Sequence, residues 1–177
     1  MSCTQTITGL AKDCQSNIGG LRKVYIAPFD EAKAVTITAG AISQYTAGAQ
    51  AANYKAFNFR PGAASFTSTS QIDTAAGLNM VQTQLVMNFG RMEAVKRTEI
   101  QALLQGEVQV IAVDNNGIAW LLGKSNPVVA IGSQNAQSGA ARTETNQYSI
   151  TLQDDSEELP LPFTDDSVYS SVVDEVA

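Results

Sequence analysis

The most constraining feature of the sequence is a regular alternation of apolar and polar residues between positions 81 and 89. Every second side chain faces one way, and all but one of this set are apolar: Val81, Thr83, Leu85, Met87 and Phe89. Gln82, Gln84 and Asn88 fall on the opposite face. A period of two residues is typical of a β-strand with one buried face. This stretch therefore predicts a sheet that is apolar on one side and polar on the other.

Other extended segments recur along the chain. They predict strands over residues 22–28, 35–38, 54–60, 65–72, 107–113, 118–122, 127–131 and 141–153. Residues 39–53 and 73–79 are rich in small and polar residues and are expected to be loops. Asn116-Gly117 predicts a tight hairpin between two strands. This pattern indicates a mainly β fold, a β-sandwich or open barrel with one flanking α-helix and extended arms and loops.

The helix is predicted over residues 92–105 and is followed by Gly106, a residue type favoured just past a helix end. Its apolar face consists of Met92, Val95, Ile100, Leu103 and Leu104. We expect the helix to pack on one continuous core. The predicted core residues are Val81, Leu85, Met87, Phe89, Leu103, Val110, Trp120, Tyr148, Ile150 and Leu152.

Charge divides the chain into unequal parts. All 11 lysines and arginines lie in residues 1–153, whereas residues 154–177 carry eight acidic residues and no basic one. We expect an N-terminal arm over residues 1–20, a β-sandwich domain over 21–163 with its helix near 92–105, and an acidic C-terminal tail over 164–177. Such a run is usually a solvated tail, and the alternative is a segment that docks on a neighbouring subunit or repels nucleic acid. No leader pattern or long apolar run is visible, so we expect synthesis in a cytoplasm and no membrane partner.

The search for chemistry finds no complete motif. The sequence contains no histidine, which excludes His-dependent nucleophilic and metal motifs. Gly123-Lys124-Ser125 resembles the end of a phosphate-binding loop, but a strand pattern follows where that site needs a helix. We therefore predict no enzymatic activity, no catalytic residue, no cofactor and no metal site.

Polar residues on predicted strands are the candidates for a subunit interface or the lining of a channel. Five lie on two central strands: Ser65, Thr67, Thr69, Gln82 and Gln84. Three more lie at the start of the last predicted strand, where both faces are polar: Arg142, Glu144 and Asn146. A strand with two polar faces projects beyond its own core and needs a partner. These segments, with residues 1–20, 39–53 and 61–79, are expected to mediate self-assembly.

Several segments in the second half of the chain resemble the tail tube proteins of long-tailed bacteriophages. The resemblance rests on the order of five segments: Leu103–Gly106, Asp114–Gly117, Trp120–Gly123, Ser138–Ala140 and Thr145–Leu152. It covers about residues 80–163. The acidic stretch from Asp154 to Phe163 stands where such proteins end their sandwich.

The resemblance implies a virion protein, made in the bacterial host cytoplasm, with a β-sandwich and one flanking helix. Six copies would form a ring, and rings would stack into a hollow tube that joins other phage tail proteins. DNA would pass through this tube without tight binding, since a lumen rich in Lys or Arg would hold the phosphates.

Two other functions remain open from the sequence. A head-tail connector, head-completion protein or capsid-decoration protein shares the virion setting and a small β fold. A monomeric carbohydrate- or surface-binding β-sandwich belongs to a different class and would need an exposed aromatic platform. The fold alone does not choose among these functions.

Overall fold

The computed structural model describes residues 9–10, 17–49, 53–73 and 75–174, apart from the side chains of residues 133–135. Within these ranges the chain has one α-helix, α1 (Ala94–Gln105), and twelve strands. The strands are β1 (Leu21–Pro28), β2 (Ala34–Thr38), β3 (Ala41–Thr46), β4 (Tyr54–Asn58), β5 (Ala64–Asp73), β6 (Leu78–Gly90), β7 (Val108–Asp114), β8 (Ala119–Leu122), β9 (Val129–Gln137), β10 (Gln147–Ser156), β11 (Leu161–Pro162) and β12 (Val173–Asp174). The mainly β fold with one helix is confirmed.

The strands form two principal sheets and a hairpin. One sheet has six strands in the order β11-β8-β7-β1-β4-β12, and the other has four in the order β5-β6-β10-β9. Every pairing in the four-stranded sheet is antiparallel, and β6 pairs with β10 from Gly90↔Gln147 to Val81↔Ser156. The β2–β3 hairpin is separate from both sheets. The two sheets pack as the layers of a sandwich, because one set of buried side chains comes from both of them.

Two hydrophobic cores lie on opposite faces of the six-stranded sheet. The first core contains residues from both sheets and from α1: Val24, Ile26, Leu85, Met87, Ile100, Leu103, Val110, Ile150 and Leu152 are among them. The second lies on the other face, under β3 and the C-terminal segment, and includes Tyr25, Ile42, Tyr45, Tyr54, Ile111, Leu121, Phe163 and Tyr169. Nine of the ten predicted core residues belong to the first core or pack against it. Val81 is buried but belongs to neither core, and the second core was not predicted.

Three details of the predicted elements are corrected. Residues 39–53 are not one loop, because β3 occupies Ala41–Thr46 and buries Ile42 and Tyr45. The helix begins at Ala94, two residues later than predicted, and Val95 on its first turn is 74% exposed because only the face with Ile100 and Leu103 meets the sheets. Gly106 ends the helix in an extended conformation (φ −96°, ψ 151°), not a left-handed cap, and a Cβ there would lie 3.0 Å from the Ala102 carbonyl oxygen.

The acidic C-terminal segment differs from a solvated tail as far as the structure describes it, to residue 174. Tyr169 is buried, with its ring centroid 5.1 Å from that of Phe163. The Tyr54 N–H donates to the Val172 carbonyl oxygen (2.9 Å), and β12 pairs in parallel with β4. Aromatic burial and backbone pairing hold the segment on its own domain while its carboxylates face outward.

Most of the predicted N-terminal arm, residues 1–8 and 11–16, lies outside the described residues. Where the description resumes, Ile18 exchanges hydrogen bonds with the Asn116 side chain in the β7–β8 hairpin (2.9 and 3.1 Å). That hairpin is the predicted tight turn: Gly117 has φ 88°, and Asp114 Oδ1 accepts from the Asn116 and Ile118 N–H groups. In the part of the chain that the structure describes, no helix has the length and apolar character needed to cross a membrane.

Candidate functional site

The outer surface of the four-stranded sheet is the candidate functional site, and we call it the polar face. It comprises the side chains of β5, β6 and β10 that point away from the first core: Ser65, Thr67, Thr69, Gln71, Asp73, Leu78, Met80, Gln82, Gln84, Val86, Asn88, Gln147, Ser149, Thr151, Gln153 and Asp155. Their neighbours along each strand, such as Leu85, Met87 and Leu152, are fully buried. The strict alternation of a strand with one covered face therefore produces this surface.

Strand register arranges the polar face in rows that run across three strands. One row is Thr67–Gln84–Gln153, and the next is Thr69–Gln82–Asp155. The rows are joined by side-chain hydrogen bonds. Gln84 Nε2 donates to Gln153 Oε1 (3.2 Å), and Gln153 Nε2 donates to Asp155 Oδ1 (3.0 Å). These amide contacts order long side chains that would otherwise sample many rotamers.

The charge of this sheet is as distinctive as its polarity. The sequences of β5, β6, β9 and β10 contain no lysine or arginine. All 11 basic residues of the chain lie elsewhere, for example Lys23 on β1, Lys55 on β4 and Lys96 on α1. Asp73 and Asp155 are the charged residues of the polar face. The surface is therefore slightly acidic and rich in hydrogen-bonding groups, with Leu78, Met80 and Val86 as its apolar members.

Five of the eight predicted site residues come together on the polar face. Ser65, Thr67 and Thr69 lie on β5, and Gln82 and Gln84 lie beside them on β6. Asp155 was not among the predicted site residues, because it belongs to the acidic run that begins at Asp154. Its signal was the alternation of β10, which continues through Ser156 and puts Asp154 on the buried face and Asp155 on the outer face.

The other three predicted site residues, Arg142, Glu144 and Asn146, do not lie on a strand. The prediction of a strand from residue 141 is wrong, because β10 begins at Gln147 and residues 138–146 form a compact turn. The Glu144 carboxylate accepts from the Ala140 N–H, and the Glu144 N–H donates to the Ala141 carbonyl oxygen (3.1 Å). Hydrogen bonds from the Ala140 and Ala141 N–H groups hold the pKa of the Glu144 carboxyl below its ordinary value.

Asn146 closes the same turn against the end of β6. Its carbonyl oxygen accepts from the Arg91 N–H (2.8 Å), and its side-chain Oδ1 accepts from the Met92 N–H (2.9 Å). Arg91 has φ 62°, a left-handed conformation that a non-glycine residue adopts at a cost. The two hydrogen bonds to Asn146 fix this strained corner, at one end of the four-stranded sheet.

The edge strand β5 has no strand beyond it among the described residues, because the sheet order is β5-β6-β10-β9. The Asn88 N–H donates to the Ala63 carbonyl oxygen (2.8 Å), so odd-numbered residues of β5 form the hydrogen-bonded pairs with β6. The N–H groups of even-numbered residues, including exposed Ser70, consequently point away from the sheet. An open edge of ten residues is a template for pairing with another chain.

One buried carboxyl lies beneath the sheet. Asp154 is 3% exposed, and its Oδ2 accepts from the Gly123 N–H (3.0 Å). Burial raises the pKa of this carboxyl, and the Gly123 hydrogen bond opposes that rise. The Gly123-Lys124-Ser125 segment leads into the bridge at Val128 and β9 and not into a helix. Among the described residues, no three metal-ligating side chains come together.

No family model, no curated protein and no solved structure matches this chain.

Proposed function

We propose that the chain is a structural subunit that self-assembles into stacked rings, forming a hollow tube that conducts DNA, as the tail tube proteins of long-tailed bacteriophages do. The observation that carries the proposal is the four-stranded sheet, which combines a polar face free of lysine and arginine with an open edge at β5. The setting that follows is a phage virion, with other tail proteins at the ends of the tube.

The open edge supplies the contact between subunits within a ring. A second copy can add the opposite side of its four-stranded sheet, the β9 side, to the exposed N–H and C=O groups of β5. Such a contact joins two different surfaces of the same chain, and heterologous contacts of this kind close into rings when the rotation per subunit permits. The four-stranded sheets then form one continuous barrel around a central hole.

The polar face lines that hole. Duplex DNA carries a phosphate charge every few ångströms, and each cationic contact would add salt-dependent affinity along the whole passage. A wall of Gln, Ser and Thr side chains gives DNA no such contact, and the Asp155 carboxylate repels phosphates.

A monomeric carbohydrate-binding module is less well supported. Recognition of a sugar ring favours exposed aromatic side chains, and no residue of the polar face is aromatic. Trp120, the one tryptophan, is instead packed on the first core with its ring 6.0 Å from that of Phe66.

Electron microscopy of the purified chain tests the proposal. We expect rings or tubes with a central hole, and uniform monomers at high protein concentration would contradict it. Discrete monomers would favour the other functions that the sequence leaves open.

The variant Ser70→Pro sharpens this experiment, because it removes an N–H group that points to the open edge of β5 without changing the pairing with β6. We expect it to prevent ring closure, whereas Ser70→Ala, which retains the N–H, should form rings normally. Equal assembly of the two variants would show that β5 is not the contact.

A further inference from the structure

The two ends of the four-stranded sheet carry opposite charge. At the end where β6 finishes and β10 starts, basic residues outnumber acidic ones in the neighbouring segments: Arg60, Arg91, Lys96, Arg97 and Arg142 stand against Glu93 and Glu144. At the other end, the segments before β6 and after β10 contribute acidic ones: Asp73, Asp155, Glu157 and Glu158. β10 has ten residues, which separates these ends by about 30 Å. One copy therefore cannot bring its own two ends together.

A groove of about 580 Å³ opens at the basic end, between the end of β4, the end of β6 and the start of α1. Phe59 and Phe89 line it and are half-buried, with ring centroids 5.3 Å apart. Arg60 and Arg91 stand at the groove with exposed side chains. Arg60 makes no ion pair with any residue that the structure describes, so its charge is available. The groove thus offers a partly apolar lining with three cationic groups, of Arg60, Arg91 and Lys96, and one carboxylate, of Glu93.

The groove is held open by the strained corner at Arg91. Lys96 Nζ donates to the Gly90 and Arg91 carbonyl oxygens (2.7 and 3.1 Å), and Asn146 accepts from the Arg91 N–H. Arg91 Nε also contacts Glu93 Oε1 (2.8 Å), yet the Arg91 side chain stays 85% exposed. A non-glycine residue kept at positive φ by three separate contacts indicates a shape that the fold maintains.

The acidic end offers a loop of matching chemistry. After β10 the chain turns through Glu157 and Glu158 to Leu159, whose side chain is 60% exposed. Glu158 forms an ion pair with Lys124, and the Ser156 hydroxyl donates to the Glu158 carbonyl oxygen (2.7 Å). These contacts fix the loop and leave Glu157 exposed, with no ion pair to a described residue.

We propose that the groove at the basic end receives the loop over residues 157–159 of a second copy, stacked head to tail along the strand direction. Leu159 packs against Phe59 and Phe89, and Glu157 pairs with Arg60. The inference rests on the proposed tube, for which it supplies the contact between successive rings. Because the contact joins two different ends of the molecule, it repeats without closing and extends the stack.

Charge exchange between the two ends tests this contact. Arg60→Glu makes the groove acidic, and Glu157→Arg makes the loop basic. Each variant alone then opposes like charges at every ring junction, and we expect the protein concentration needed for stacking to rise by about tenfold or more. Mixing the two variants restores an opposite pair at every junction when they alternate, so the mixture should stack like the wild-type chain.

Sedimentation and electron microscopy measure the outcome. Arg97→Glu is the matched control, because it makes the same charge change at the same end but outside the groove, and it should weaken stacking much less than Arg60→Glu does. Stacks of normal length in both single variants, or a mixture that fails to recover, would overturn the contact while leaving the ring intact. A wild-type chain that stays monomeric would overturn both the contact and the proposed tube.

Discussion

The two sheets of the sandwich differ in how many of their faces the chain itself covers, and the difference is clearest between β7 and β6. Six consecutive residues of β7, from Val108 to Val113, are buried, because the first core covers one face of the six-stranded sheet and the second core covers the other. In β6, buried residues alternate with half-buried ones from Val81 to Met87. The chain therefore completes the six-stranded sheet by itself and leaves one face of the four-stranded sheet to its surroundings.

This contrast separates folding from assembly. A strand that is covered on both faces reads as a nearly continuous apolar run, and β7 has one in Val110–Val113. A strand that is covered on one face carries mostly polar side chains on the other face, which contacts water, a partner subunit or a channel. The polar face, the open β5 edge and the charged ends all belong to the four-stranded sheet and its neighbouring segments.

The largest expected effect comes from replacing adjacent residues in the two strands. Ile111→Ala in β7 should lower the free energy of unfolding by about 2–5 kcal/mol, and Val110→Ala should also be clearly destabilising, because both side chains are fully buried. In β6, Leu85→Ala should cost about 2–5 kcal/mol, whereas Val86→Ala on the polar face should cost less than about 1 kcal/mol.

Denaturant unfolding at a protein concentration below assembly measures all four variants. A cost for Val86→Ala equal to that for Leu85→Ala would mean that the polar face is covered within the monomer, and the contrast between the sheets would fail.

The strands that the sequence predicts best are those with an uninterrupted period of two. β5 and β6 are adjacent in the chain and joined by a short turn, so their faces follow from alternation alone. β3 was missed because its buried residues, Ile42 and Tyr45, are three positions apart, and the register of the β2–β3 hairpin is irregular near Thr36. A bulge of this kind moves side chains to the other face and hides the strand from a pattern of period two.

The C-terminal segment shows a second limit of sequence reasoning. Its composition indicates a solvated tail, yet a few aromatic and aliphatic residues dock while the carboxylates remain outside. Phe163 and Tyr169 meet Tyr25 and Tyr45, which are more than 100 residues earlier in the chain. Net charge cannot reveal such a contact.

A smaller effect is expected at the buried hydroxyl pair in the second core. The hydroxyls of Tyr45 and Tyr54 hydrogen-bond each other, and both residues are buried. Tyr54→Phe leaves the Tyr45 hydroxyl without its partner and should cost about 1–3 kcal/mol. The double variant Tyr45→Phe/Tyr54→Phe should cost less than the sum of the single changes, because it leaves no orphaned hydroxyl.

Thr67→Val is the matching change on the polar face, where water can satisfy the hydroxyl, and it should stay within about 0.5 kcal/mol. Thermal unfolding of the wild type, Tyr45→Phe, Tyr54→Phe and the double variant gives the coupling energy between the two hydroxyls. Additive single changes would show that the tyrosine hydroxyls do not depend on each other.

The residues of the candidate site also differ in how well the sequence predicts their positions. Ser65, Thr67, Thr69, Gln82 and Gln84 could be grouped because alternation assigns them to one face of neighbouring strands. Arg142, Glu144 and Asn146 could not be placed correctly, because the turn they form depends on a carboxylate that accepts backbone N–H groups. It also depends on Gly139 at φ 70°, where a Cβ would lie 2.8 Å from the Cβ of Glu144. Neither contact leaves a periodic signal.

A pH-dependent effect is expected at the buried carboxyl of Asp154. Burial raises the pKa of this group above the ordinary value of 3.8, so the folded chain holds the proton more tightly than the unfolded chain does. Its contribution to stability is therefore fully present below that ordinary value and is lost as the pH rises through the raised pKa. Asp154→Asn removes the titration and still offers an oxygen to the Gly123 N–H.

The measured quantity is the difference in unfolding free energy between the wild type and Asp154→Asn across the acid range. We expect the unfolding free energies of the two chains to be closest at low pH. As the pH rises, the variant should become more stable relative to the wild type. A difference that shrinks with rising pH would mean that the Gly123 hydrogen bond and the nearby Lys33 together outweigh the burial.

The smallest change in stability should accompany the change most damaging to a DNA conduit. Thr67→Lys places a cation on the polar face, where the side chain is exposed, so unfolding should change by no more than about 0.5 kcal/mol. Once rings form, the same substitution repeats around and along the lumen, and the lysines contact successive phosphates of a duplex. Binding of a short duplex to the assembled tube should then appear at low salt and weaken steeply as salt is added.

Thr67→Gln keeps the wall neutral and Val95→Lys adds the same charge on α1, so neither should increase binding. If Val95→Lys binds duplex as strongly as Thr67→Lys, an added lysine increases binding regardless of its position, and the polar face does not line the passage.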